Sequence, residues 1–120
     1  MKVTEYPKEI ERAALDLGAT CEEIAEVRDR LKDAELDALD SVINARGEDN
    51  RSLYSNDKAR DIAIHRMLKD SRGYQQDKST LRILEHKGAT NEAEIERLRR
   101  EYRIALIDYE RQQLGRRDAA

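Results

Sequence analysis

The sequence contains no tryptophan and no phenylalanine, and five tyrosines are its only aromatic residues, so a large aromatic core is excluded. Cys21 is the only cysteine. It allows neither a disulfide framework nor a thiolate metal cage, and reads as a small apolar residue on a helix flank. The two histidines, His65 and His86, belong to no Glu-x-x-His or His-x-x-x-His pair, which removes the usual zinc and di-iron constellations. No glycine-rich phosphate loop follows a strand, because no convincing strand exists. No catalytic residue, no metal and no cofactor is expected. No apolar run approaches the roughly 18 residues of a membrane span, and the N-terminal segment has no signal-peptide core. A cytoplasmic protein with no membrane association follows as an expectation.

Charge and helix formers are what the chain has in abundance. Ala, Glu, Lys, Leu and Arg supply 63 of the 120 residues, the composition of long helices and coiled coils. Leu, Ile and Val total only 24, at the edge of the disordered range, but 23 bases nearly cancel 26 acids. Balanced charges can pair along helix faces, and pairs such as Glu26–Arg30 and Glu96–Arg100 have the favourable i,i+4 polarity. An ordered, highly charged helical protein is expected. So thin an apolar supply suits narrow seams between helices, completed by a second chain.

The charge is unevenly placed. Residues 1–50 carry 7 bases and 14 acids, whereas residues 51–120 carry 16 bases and 12 acids. An acidic first arm and a basic last arm suit an antiparallel arrangement, within one chain or between two. The overall pI near 5.5 argues against a generic DNA coat and leaves a local basic patch open.

The periodicity predicts a helix over about 6–46, with Pro7 in its first turn and Thr4 as its cap. Its seam is Ile10, Ala13, Leu17, Thr20, Ile24, Val27, Leu31, Ala34 and Ala38, the a and d positions of a heptad. Leu36, Leu39, Val42 and Ile43 widen the apolar face, as if this end meets more than one neighbour. Gly47 reads as the stop, and residues 47–56 as a loop in which Ser55 or Asn56 caps the next helix. That helix, about 57–71, buries Ile62, Ile64, Met67 and Leu68 in part and ends on a left-handed Gly73. A last helix over about 75–114 has the seam Leu81, Leu84, Gly88, Asn91, Ile95, Leu98, Tyr102, Ala105 and Tyr109.

Gly-Ala-Thr occurs twice, at 18–20 and at 88–90. Two readings stay open at each place. In one, glycine closes a helix and a capping box, Thr20 to Glu23 or Asn91 to Glu94, opens the next, giving a kink at 18–20 and a break at 88–91. In the other, both helices run through and tolerate one glycine at about 1 kcal/mol. The segment Gly18-Ala19-Thr20-Cys21-Glu22-Glu23-Ile24-Ala25 also resembles the first half of a helix-turn-helix motif. Its second half is missing, and the would-be recognition helix from Asp29 to Asp40 is acidic, so phosphates would repel it.

The best site candidate is the arginine cluster Arg97, Arg99, Arg100 and Arg103, with Arg111, Arg116 and Arg117 beyond it. These side chains lie on the flanks and back of the Ile95–Leu98–Tyr102 seam. They can track a phosphate backbone, with Tyr102 or Tyr109 as a stacking surface. Alternatively they pair with Glu94, Glu96 and Glu101 or with the acidic first arm. Asn56-Asp57-Lys58-Ala59-Arg60, Leu68-Lys69-Asp70, Tyr74 and Glu101-Tyr102-Arg103 together resemble small helical proteins of bacteriophages and mobile elements, over residues 55–110. The resemblance marks Arg60 and Asp70 without giving them a role. Some such proteins sit beside recombination or replication genes.

The expected fold is therefore all-α: one domain built as a long antiparallel helical hairpin, a coiled-coil-like bundle completed by dimerisation. Two functions are carried forward. The first is a non-enzymatic interaction or assembly protein with a protein partner. The second is a nucleic-acid-binding accessory factor of recombination or replication, using the arginines of the last helix.

Overall fold

Helices account for nearly all of the computed structural model, which describes residues 1–119 and their side chains as far as Arg117. A 3-10 turn, Val3–Glu5, leads into α1 (Tyr6–Asn44), followed by α2 (Asp57–Asp70) and α3 (Arg72–Ala119). The protein is all-α: among the described residues there is no strand, only an isolated bridge between Arg46 and Ser52.

The helix ends are made differently from the sequence expectation. Thr4 lies inside the 3-10 turn, where the Lys2 backbone N–H donates to the Glu5 carboxylate at 3.0 Å. α1 stops at Asn44, before the expected Arg46. The Arg46 guanidinium folds back to donate to the carbonyls of Ile43 and Ala45 at 3.0 and 3.2 Å; the Ile43 carbonyl lies in the last turn, where the helix supplies no partner. Gly47 is not left-handed. Asn50 takes that conformation (φ 62°), a residue type whose short polar side chain tolerates it.

Asn56 caps α2 as anticipated, its side-chain oxygen accepting from the Ala59 N–H at 2.8 Å. Gly73 does not end this helix. Ser71 does, in an extended conformation, and its hydroxyl accepts from the Tyr74 N–H at 3.2 Å, so one residue closes α2 and opens α3. Gly73 thus falls in the first turn of α3, which starts three residues earlier than expected.

Neither glycine interrupts its helix. α1 is continuous through Gly18 and α3 through Gly88, so neither glycine stops its helix and the break at 88–91 is absent. The threonines show why. Thr20 and Thr90 donate their hydroxyls back to the carbonyls of Asp16 and His86, at 2.9 and 3.0 Å, which is how threonine is accommodated inside a helix. The missing turn at 18–20 also removes the helix-turn-helix reading.

The chain divides into two compact units, Met1–Glu22 with Glu85–Ala120, and Glu23–Leu84. In the first, α1 and α3 run antiparallel, with Tyr6 against Tyr102 and Thr20 against Asn91. The two rings lie 5.7 Å apart, and Tyr6, Ile95 and Leu98 are buried around the seam. The second unit has a core of Val27, Leu31 and Leu84, with Ile24, Tyr74 and Leu81 packed on it. Here too the helices are antiparallel. Arg30 donates to both Asp77 carboxylate oxygens at 3.4 and 3.3 Å, and the Tyr74 hydroxyl donates to Glu35 at 2.8 Å.

α2 contributes no fully buried residue. Ile64 and Leu68 are half-buried, whereas Ile62 and Met67 are exposed, against expectation. Ile62 and Ile64 are two residues apart, and 200° of helical rotation puts them on opposite sides.

Candidate interaction surfaces

The arginine cluster divides by face. Arg97 is held within its own helix: Nε and Nη2 donate to the Glu94 carboxylate at 3.1 and 2.6 Å, and Nη1 donates to Glu101 at 2.7 Å. The two hydrogen bonds from Arg97 hold the Glu94 carboxyl below the usual carboxylate range, and the two carboxylates keep the guanidinium more firmly protonated. The charge of Arg97 is thus matched one turn away on either side within its own helix.

Arg99, Arg100 and Arg103 turn the other way. With Glu96 they line a concavity of about 380 Å³. Positions 96, 99, 100 and 103 fall within about 100° of arc, so a single face presents all three guanidinium groups. None of the three has a hydrogen bond or ion pair to a described residue. Arg111, two turns further on, is exposed and likewise has no partner among the described residues. Glu96 and Arg99 are shared with a neighbouring groove of about 550 Å³, where Ala14 and Leu17 of α1 face Ala89, Ala93 and Ile95 of α3. Small residues leave this groove open.

The seam positions are placed as follows. Val27, Leu31, Leu84, Ile95 and Leu98 are buried, and Ile10, Leu17, Ile24, Leu81 and Tyr102 are half-buried. Tyr109 departs from the expected seam and is 49% exposed. The physical reason is the length of the opposing element. Tyr102 meets Tyr6 at the start of α1, and Tyr109 faces Lys2, Val3 and Thr4, which precede that helix, across a shallow groove. With no helix opposite, a seam position becomes a surface position.

Each long helix also carries a second apolar stripe. On α1, Leu36, Leu39 and Ile43 are exposed at i, i+3, i+7 spacing, while their neighbour Val42 is completely buried. The sequence showed this widening at 36–43, without showing which residue takes which side. On α3, Ile104, Ile107 and Leu114 are exposed at the same kind of spacing, with Arg111 between them. Sequence reading passed over this second stripe because a continuous heptad already accounted for the helix. Its signal was available in the 3-, 7- and 10-residue intervals of those apolar positions.

The positions marked by the resemblance serve the local structure of α2. Arg60 Nε donates to the Tyr54 carbonyl at 3.2 Å and its guanidinium approaches Asp57 at 3.6 Å. Asp70 lies at the edge of a groove of about 410 Å³ along the outer face of α2, beside Ile62, Ala63 and Met67. Cys21 is exposed. Among the described residues no group of three or more Cys, His, Asp or Glu side chains is placed to hold a metal ion, and no helix is long and apolar enough to cross a membrane. Family models, curated proteins and solved structures give no match to this chain.

Proposed function

We propose that the chain is a non-enzymatic helical interaction and assembly protein, a long antiparallel hairpin whose coiled-coil-like bundle is completed by a second copy. One observation carries this reading. Among the described residues, thirteen large apolar side chains are exposed and only eight hydrophobic residues are buried. Single exposed leucines are ordinary, but apolar residues repeating at heptad intervals along exposed helix faces are the pattern by which helices recognise helices. The charged flanks of those stripes then select the partner. A phage or mobile element is the setting this reading implies, following the resemblance over residues 55–110. Sedimentation equilibrium of the whole chain, from low micromolar to millimolar concentration, tests the self-association. A dimer or larger assembly is expected, and a monomer throughout the range would refute it.

A second reading is favoured by the free arginines. Arg99, Arg100 and Arg103 offer three unpaired guanidinium groups on one face, which supports a role as a nucleic-acid-binding accessory factor in recombination or replication. Anisotropy titrations with labelled single-stranded and duplex DNA test it. Binding should weaken steeply with salt and be lost in Arg99→Glu/Arg103→Glu with helicity unchanged. Unaltered binding in that variant removes the site from consideration.

A further inference from the structure

We propose that the exposed α1 stripe of one copy, Leu36, Leu39 and Ile43, docks on the exposed α3 stripe of a second copy, Ile104, Ile107 and Leu114, with acidic flank against arginine flank. The inference rests on the assembly reading and names the surfaces that assemble.

Three observations lead to it. First, both stripes are apolar, exposed and spaced for helix-to-helix packing. Each also belongs to a helix whose other side is already engaged. Val42 and Ala38 are buried on α1, and Ile95 and Leu98 on α3. The outer stripes therefore remain uncovered after the chain has formed its own seams.

Second, the flanks carry opposite charge. Residues 29–43 hold five acids, Asp29, Asp33, Glu35, Asp37 and Asp40, against two bases, and Arg30 is occupied by Asp77. Residues 99–117 hold six arginines against three acids, and one of those acids, Glu101, is occupied by Arg97. A stripe docking on its own kind would bring like charges together, acid on acid or arginine on arginine. Docking across kinds brings opposite charges together, and like-charge juxtaposition is what suppresses wrong pairings at helical interfaces.

Third, Arg99, Arg100 and Arg103 have no partner among the described residues, whereas Arg97 has two. Exchanged both ways around a two-fold axis, the contact forms an isologous dimer; made once, head to tail, it is heterologous and propagates.

Charge exchange on the full chain tests the proposal. One variant, Asp33→Arg/Asp40→Arg, changes residues 29–43 to three acids against four bases, so that neither stripe keeps an acidic excess. The other, Arg99→Glu/Arg103→Glu, changes residues 99–117 to four arginines against five acids, so that neither keeps a basic excess. Circular dichroism first establishes that each retains wild-type helicity, and the neutral pair Asp33→Asn/Asp40→Asn stands in if the arginine version loses it. By sedimentation, each reversed variant alone should associate at least about ten-fold more weakly than wild type. An equimolar mixture should recover association, because every contact then joins a basic stripe to an acidic one. The neutral pair should give an intermediate loss that added salt no longer deepens.

Wild-type association that neither reversal weakens, or a mixture that recovers nothing, overturns this pairing of surfaces and leaves the assembly reading standing. A wild-type chain that stays monomeric overturns both. A monomer that binds DNA through Arg99 and Arg103 assigns the α3 face to nucleic acid and likewise overturns the docking.

Discussion

Thr20 and Asn91 form a polar layer that joins α1 to α3 in the first unit, and removing it has a calculable consequence. Thr20 is 1% exposed; its hydroxyl donates to the Asp16 carbonyl at 2.9 Å and accepts from the Asn91 side-chain amide at 3.2 Å. Thr20→Val keeps the shape and deletes both bonds. The Asp16 carbonyl retains its ordinary helical partner, so the loss falls on Asn91, whose amide is left without its acceptor. Asn91 is half-buried and can turn partly to water, which puts the cost near the middle of the usual range for one net hydrogen bond, about 1 kcal/mol. Asn91→Leu alone loses the same bond but leaves the Thr20 hydroxyl bonded to Asp16 and adds apolar contact on the seam, so it should change stability little. The double variant replaces both partners with apolar groups and should be about as stable as wild type.

The expected cycle therefore shows a coupling of about 1 kcal/mol, and Thr20→Val alone should lower the midpoint by about 4 °C for a chain of this size. Urea and thermal unfolding followed by circular dichroism measure all four proteins, at one fixed concentration because association shifts apparent stability. Single-variant costs that add to the double-variant cost within about 0.3 kcal/mol would refute the coupling. The cross-helix bond would then contribute nothing beyond its geometry.

Gly18→Ala should raise stability by about 1 kcal/mol in the same unfolding assay. The glycine lies inside a continuous helix, and a Cβ there meets nothing within 4 Å. Leu98, 3% exposed on the α3 seam, should not tolerate aspartate: Leu98→Asp buries an unpaired charge and should unfold or monomerise the protein, and a helical, unchanged assembly would contradict the seam assignment. Glu94 should titrate below ordinary glutamates by NMR and return to their range in Arg97→Ala. Since its folded pKa is depressed, the Glu94–Arg97 contribution is present above the usual carboxylate pKa and is lost as pH falls through the lowered value. A Glu94 midpoint unmoved by Arg97→Ala would assign the shift to some other group.

Which segments are helical was legible from composition and spacing, because the apolar stripes at 10–38 and 81–105 repeat at 3.5 residues and the helix formers fill the remainder. The ends were less legible. Gly47 looked like a stop and Gly73 like a left-handed cap, yet the Arg46 side chain folds back on the end of α1, and Ser71 both ends α2 and caps α3. Glycine permits a turn without requiring one, and a side chain that satisfies the terminal carbonyls or amides removes the need. The arginine cluster was legible as a group, but its division was not. Arg97 has acids at both i−3 and i+4 and is spent on them. Arg99, Arg100 and Arg103 remain free, a distinction that depends on which rotamers reach which neighbours.

By itself, then, the sequence determined an all-α protein with two heptad seams, a capped middle helix and opposite charge on its arms. Local interactions within a few residues set those features, and hydrophobic periodicity reports them directly. Only the tertiary structure decided that the helices run through Gly18 and Gly88. Thr20 and Thr90 bond back along their own helices, and what packing adds is Asn91, spent on a bond across to Thr20 and not on a cap. Tertiary packing likewise decided that Val42 is buried while Leu36, Leu39 and Ile43 face outward. An apolar residue can serve either side of a helix, and its place is set by which neighbouring helix covers it.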